Sequence, residues 1–214
     1  MQHALASEET LVAALRAGDE TVFARLVDDW SRAMLRLARA HVSTQASAEE
    51  VVQETWLAAL RGLDRFEGRA SLRTWVFRIL VNVAKTTGTR ERRSVPFPSV
   101  PGDIDDGGPT VDPGRFQGIG ERYPGGWRHF PADWPPSPEG ELIAAEVRGV
   151  VDGCMARLPA RQRAVMSMRD IDGFEADEVC RVLGLAAGNQ RVLLHRARAA
   201  VRRELERYYE DAAA

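Results

Sequence analysis

Apolar residues return every three or four positions over two long stretches of this chain, and no stretch alternates with a period of two. That spacing predicts amphipathic helices and no strands. In the first stretch, Ser7 with Glu8 and Glu9 opens a helix that Gly18 closes. Asp19 caps the next, which runs to about His41. Ser47 and Glu50 stand three apart, the capping-box spacing, and start a helix that continues to about Arg61 and ends at Gly62. Val52, Trp56 and Ala59 form its apolar seam. Ser71 caps a helix reaching at least Lys85, with Leu72, Val76, Ile79 and Val83 facing inward.

The period fails over residues 94–138, where most of the prolines and many of the glycines lie. This segment predicts a linker, able to span roughly 35–40 Å on average as a flexible chain. Phe116, Tyr123, Trp127, Phe130 and Trp134 are more aromatic surface than a spacer needs, which leaves local packing and docking on a partner protein both open. A second helical stretch begins with Ser137 as cap and Pro138 at the first helical position. It runs to about Arg157, resumes from Pro159 to Arg169, and turns at Asp172-Gly173. A short helix from Glu175 to Leu183 stops at Gly184, and Asn189 caps a long final helix to about Tyr209. The expected architecture is all-α: two small helical domains, residues 1–93 and 139–214, joined by the long Pro/Gly-rich linker.

Charge sharpens this picture more than composition does. Hydrophobic residues at 44% and charged residues at 28% are ordinary for a folded chain. The formal net charge is −2, but it is unevenly spread. Residues 1–60 carry 9 acids and 5 bases, residues 61–93 carry 3 acids and 9 bases, and residues 189–209 hold 6 arginines against Glu204 and Glu206. Two basic segments in an otherwise acidic chain suit a polyanion. No apolar run is long enough to cross a membrane, and the start has no cationic and apolar leader pattern. Cys154 and Cys180 sit in helical patterns without metal-ligand spacing and are expected to be buried, reduced thiols of a cytoplasmic protein.

Three helix faces carry candidate chemistry. On the final helix, Arg191, His195, Arg198 and Arg202 form one row flanked by Arg196 and Arg203, while Leu193, Leu194, Ala197, Val201 and Leu205 face inward. Behind a short helix and a glycine turn, this is a helix-turn-helix pattern, and an arginine row there suits the major groove. A solvated charged face is the alternative. On the helix from Ser71, the residues Ser71, Trp75, Arg78, Asn82 and Lys85 form a row of aromatic, cationic and amide groups. Such a row can stack and track unpaired bases, or it is a core tryptophan beside a solvated face. On the helix from Ser47, Glu50, Gln53 and Glu54 form an acidic outer face, either solvated or docked on a basic protein. No nucleophile–base pair, phosphate-cradling loop or metal cluster is present, so no catalytic residue, metal ligand or cofactor is expected.

Taken together these segments resemble the extracytoplasmic-function (ECF, group IV) sigma factors of bacterial RNA polymerase. Ala48-Glu49-Glu50-Val51-Val52-Gln53-Glu54-Thr55-Trp56-Leu57 is similar to region 2.2 of that family. Phe66 to Ile79, with Asn82, is similar to regions 2.3 and 2.4. Leu158 to Arg163 and Gly188 to Arg198 are similar to region 4. Gln190 stands where the family usually has an aliphatic residue, and Val192-Leu193 where it often has a polar pair. The resemblance implies a sigma region 2-like bundle and a region 4-like helix-turn-helix. It implies core polymerase as partner, through the clamp helices of the largest subunit and the flap, with Glu50, Gln53 and Glu54 in contact. It implies promoter DNA bound at a minus-thirty-five duplex by Asn189, Arg191, His195, Arg196, Arg198 and Arg202. A melted minus-ten strand would be held by Ser71, Trp75, Arg78, Asn82 and Lys85, and an anti-sigma factor is expected as a further partner. A helix-turn-helix repressor is the competing reading, and it leaves the Trp75 row idle.

Overall fold

Asp19 turns the chain into its second helix by accepting hydrogen bonds from the Thr21 and Val22 backbone N–H groups, at 3.0 and 3.1 Å. This is the cap the sequence predicts, and it satisfies donors that the first turn leaves unpaired. The computed structural model describes residues 8–94 and 138–213. The described residues form α1 (Glu8–Arg16), α2 (Glu20–Ala38), α3 (Gln45–Gly62), a 3-10 turn (Leu63–Arg65) and α4 (Leu72–Ser94). After these come α5 (Pro138–Arg157), α6 (Ala160–Met166), a π-helical stretch (Ser167–Ile171), α7 (Ala176–Leu183) and α8 (Ala187–Ala213). No strand occurs among the described residues. The linker aromatics and the Ser137 cap lie outside them.

Two expected caps fall elsewhere. Thr44, not Ser47, caps α3: its hydroxyl accepts from the Ser47 N–H at 3.0 Å, so the helix begins one turn earlier than the capping-box spacing suggests. Asn189 does not cap α8, which already begins at Ala187 and has the Gln190 N–H donating to the Ala186 carbonyl. Ser71 does cap α4, accepting from the Thr74 N–H at 3.1 Å.

The described residues group into two compact units: residues 8–94 with 164–191, and residues 138–163 with 192–213. In the first unit, α2, α3 and α4 pack on one another, and α7 packs on α4. Met34, Leu37, Val51, Phe77 and Leu80 are fully or almost fully buried at its centre. Each such side chain contributes about 1.5–3 kcal/mol by leaving water. Trp30 stacks near Trp56 with ring centroids 6.0 Å apart, and Phe23 meets Trp56 edge-on at 5.4 Å. Arg16 ties α1 to the 3-10 turn by donating to the Leu63 and Phe66 carbonyls, at 3.1 and 2.7 Å.

Burial on α4 departs from the expected inward face. Leu72 and Val76 are buried, but Ile79 and Val83 are only partly so, and Phe77, Leu80, Val81 and Ala84 are buried in addition. The reason is that α4 has neighbours on two sides, α2 and α3 on one and α7 on another. A helix covered on two sides buries a wider arc than the single stripe read from its period. Near its end, Gly88 lies against the turn after α2, where a Cβ would stand 2.1 Å from the His41 carbonyl oxygen.

In the second unit, Cys154, Met155 and Leu158 of α5 and its end are buried, as are Leu193, Leu194, Ala197 and Val201 of α8. Leu205 is partly exposed. Arg157 pairs with Glu204 at 2.8 Å, and the Tyr208 hydroxyl donates to Glu146 at 2.7 Å. Burial pushes the Cys154 thiol up, and the Glu204 charge adds to it. Cys180 was expected to be buried but is partly exposed. α7 is short and two-sided in character, and Cys180 sits at the border of the face led by Val179 and Val182.

Candidate nucleic-acid interface

The helix-turn-helix segment is built by strong local signals. Glu175 caps α7 in a reciprocal box with Glu178, whose carboxylate accepts from the Glu175 N–H at 3.0 Å. α7 stops at Gly184, whose φ of 68° is a left-handed conformation that glycine adopts without strain. α8 then presents Asn189, Arg191, His195 and Arg198 exposed, with Arg196 and Arg202 partly exposed. Leu193 and Leu194 point inward, as the period predicts.

Gln190 is a polar residue on the apolar side of its helix, where the period places it. It is 2% exposed, and its Nε2 has no hydrogen-bond partner among the described residues. Val192, by contrast, is 46% exposed and lies between the exposed residues Arg191 and His195 in the sequence.

On α4 the row divides. Arg78, Asn82 and Lys85 are exposed and fall one turn apart along a single stripe. Trp75 is partly exposed. Its ring packs on Phe66, with centroids 5.1 Å apart, and it lies where a Cβ on Gly62 would come within 3.2 Å. The same indole forms part of the wall of an apolar cavity of about 20 Å³, lined also by Leu15, Leu63 and Leu72. Trp75 is therefore anchored in the core and presents only part of its surface. Ser71 is not on the open part of the row. Besides capping α4, its hydroxyl lies 2.8 Å from that of Thr74 and 3.3 Å from the Glu178 carboxylate.

The outer face of α3 holds Glu50, Gln53 and Glu54, all exposed. It continues into Leu57 and Leu60, which are 52% and 45% exposed. Sequence reading missed these leucines, although positions 50, 53, 54, 57, 60 and 61 share one helical face. Their signal is two leucines at helical spacing off the buried seam. Contiguous apolar surface beside charged groups marks interaction sites more often than isolated exposure does.

Comparison with known proteins agrees with this geometry. The family model of sigma-70 region 2 matches residues 26–94, and that of sigma-70 region 4 matches residues 148–201. The chain belongs to the ECF sigma factors of the sigma-70 family. As such it is a non-catalytic factor that binds core RNA polymerase and promoter DNA for promoter-specific initiation. It is 26% identical over 195 residues to the ECF RNA polymerase sigma-E factors of Salmonella typhimurium and Escherichia coli, covering 91% of this chain and 92% of theirs. It is 24% identical over 200 residues to that of Haemophilus influenzae, covering 94% of this chain and 96% of the other. Among solved structures, CnrH in complex with the cytosolic domain of CnrY has a TM-score of 0.55 at 21% identity, over 94% of this chain and 98% of that one. The sigma factor RpoE in complex with the anti-sigma factor NepR from Bartonella quintana has the same TM-score and identity, over 86% and 96%. These two likenesses concern the fold. No helix among the described residues is long and apolar enough to cross a membrane.

Proposed function

We propose that this sigma factor reads its promoters at two elements and stabilises the opened strand between them and the start point. In this reading residues 1–93 bind core polymerase and the minus-ten element, residues 94–138 link, and residues 139–214 bind the minus-thirty-five element. The observation that carries it is the α4 row, in which Arg78, Asn82 and Lys85 are exposed beside the part-exposed indole of Trp75. Cations there can track phosphate, the amide can hydrogen-bond a base edge, and an aromatic face is worth about 1–3 kcal/mol per stacked base. The repressor reading gives that row no work.

On α8, Arg191, His195, Arg196, Arg198 and Arg202, with Asn189 in the first turn, supply the duplex contacts. Arginine there pairs with guanine or neutralises phosphate. The outer face of α3, Glu50, Gln53 and Glu54 with Leu57 and Leu60, docks on the clamp helices of the largest polymerase subunit, and the region 4 segment meets the flap. An anti-sigma factor is a further partner, supported by the complexes in which CnrH and RpoE were solved. The place of action is the cytoplasm, with the polymerase.

The decisive experiment is run-off transcription with sigma-free core polymerase, the full chain and a promoter library. Initiation at defined points whose templates share two upstream elements at fixed spacing is expected. Initiation that needs only one shared element, or none, overturns the two-element reading.

A further inference from the structure

An amide stands inside on α8 and an aliphatic side chain stands outside, two residues apart. Gln190 is buried together with Leu193, Leu194, Ala197 and Val201, whereas Val192 is exposed. At 3.6 residues per turn, position 192 falls nearly opposite that buried side of the helix. The exchange is no slip of register, because the aliphatic residues of the inner side hold the helix where its period puts it. Core packing therefore does not account for a valine at this position.

A single aliphatic residue on a surface is ordinary, but the surroundings of Val192 are not. Arg191 precedes it, and one turn on His195 and Arg196 lie to either side of it, so the valine sits amid guanidinium and imidazole groups. One turn back is Gly188, where an added Cβ would meet nothing within 4 Å. Its other neighbour on α8 in that direction is the short Asn189, so no long side chain of the helix stands over the valine from its N-terminal side. Two turns on, Ala199 of the same side is buried. The open part of this side lies toward the start of α8.

Valine is short, so it touches only a surface that comes close to the helix, and the small residues at the start of α8 permit that approach. It is branched at Cβ and holds one rotamer about 90% of the time in a helix, so little side-chain freedom is lost on contact. Base edges in the major groove present hydrogen-bond donors and acceptors, and thymine adds an apolar C5-methyl. Valine can pair with none of the polar groups and would strip water from them without replacing it. The methyl is the group that it can cover with gain.

We infer that Val192 is a specificity-determining residue that covers the C5-methyl of one thymine in the minus-thirty-five duplex. This rests on the proposed seating of α8 in the major groove, and it adds an apolar base contact that the arginines of the helix cannot make. Thymine is favoured at that position over cytosine, whose amine would lose its water against the valine. It is favoured equally over uracil, which lacks only the methyl.

The test uses the full chain with sigma-free core polymerase and a promoter recovered from the run-off library. Each thymine of its minus-thirty-five element, on either strand, is replaced in turn by deoxyuridine, which removes the methyl and keeps the hydrogen-bonding groups of the base. At one position the native chain is expected to bind about fourfold more weakly, the worth of one covered methyl group. The Val192→Ala chain is expected to bind the thymine promoter more weakly by a similar factor and to be indifferent to uracil at that position. Val192 is exposed, so the variant keeps the fold, which a melt beside the binding curves checks.

Uracil without effect at every position overturns the inference, and so does an element that contains no A·T pair. A Val192→Ala chain that stays as sensitive to uracil as the native one overturns it too. Arg191→Ala on the same templates keeps the wider reading apart, since its loss is expected on thymine and uracil promoters alike. If that loss persists while uracil has no effect, the methyl contact alone fails. If neither change alters binding, α8 is not seated on the upstream duplex and both fail.

Discussion

The Arg73 guanidinium lies 3.8 Å from the centroid of the Phe174 ring, and the same side chain donates to the Asp172 carbonyl at 2.9 Å. Burial draws the Arg73 pKa down, opposed by the charges of Glu178 and Asp172. A planar cation stacked on an aromatic and hydrogen-bonded at its edge is a poor site for replacement by lysine or an alkyl chain. Arg73→Met removes a cation–π contact of about 0.5–2 kcal/mol and a hydrogen bond of about 1 kcal/mol. A loss of about 1–3 kcal/mol in urea unfolding is expected, with Arg73→Lys between it and the native chain.

Gly88→Ala is expected to destabilise, against the usual direction for glycine in a helix. An alanine there ordinarily gains about 1 kcal/mol. Here the new Cβ would stand 2.1 Å from the His41 carbonyl oxygen, which is backbone and cannot swing aside. Forced separation of α4 from the preceding turn costs about 1–3 kcal/mol. Gly149 in α5 meets nothing within 4 Å of its added Cβ and supplies the control, where alanine stabilises. Thermal melts of the two variants check the opposite signs.

Glu178 couples the first unit to pH. Burial raises its pKa, but hydrogen bonds from the Glu175 N–H and from the Thr74 and Ser71 hydroxyls, with the Arg73 charge, outweigh this, and the net shift is downward from 4.5. A carboxylate with a lowered pKa in the folded state contributes stability above its unfolded pKa and loses it as pH falls through the folded one. Stability of the native chain is therefore expected to fall as pH drops below about 4.5, with Glu178→Gln showing a shallower fall over the same window. Denaturant unfolding at neutral pH and at successive acidic points measures both. Equal slopes remove Glu178 from the effect.

Asn82→Ala is expected to weaken transcription at promoters with the preferred minus-ten base and to spare others. Asn82 is exposed, so the fold is untouched. An equal loss on every minus-ten sequence counts against base reading. Arg191→Ala is expected to weaken binding to upstream duplex DNA and to lower the slope of log affinity against log salt by about 0.9 for the one phosphate lost. An unchanged slope places Arg191 outside the phosphate contacts.

Leu57→Ser with Leu60→Ser is expected to lower affinity for core polymerase by about thirtyfold, since each leucine contributes on the order of 1 kcal/mol when its exposed half is covered. Stability is expected to change little, because both are half exposed already. A titration of labelled chain with core polymerase, beside a melt of the free chain, reads the two quantities separately.

Local order along this chain is written in the sequence. The Asp19 and Ser71 caps, the Gly184 stop and the apolar sides of α3 and α8 all rest on residues within one or two turns of each other, so spacing suffices to find them. Where two cap residues compete within one turn, spacing could not choose, and Thr44 displaced Ser47 because its hydroxyl accepts from the Ser47 N–H in the first turn. The exposed part of the α4 row and the α8 arginine row were legible for the same local reason.

The occupied end of that row was decided only in three dimensions. Glu178 meets Ser71 and Thr74 across 107 and 104 positions, and Arg73 meets Asp172 across 99. Helical period fixes which way a side chain points from its own axis, but it carries no information about which distant helix arrives opposite. That is set by how apolar faces close on one another, here Phe174 on Phe77, and the polar partners follow the ring into place.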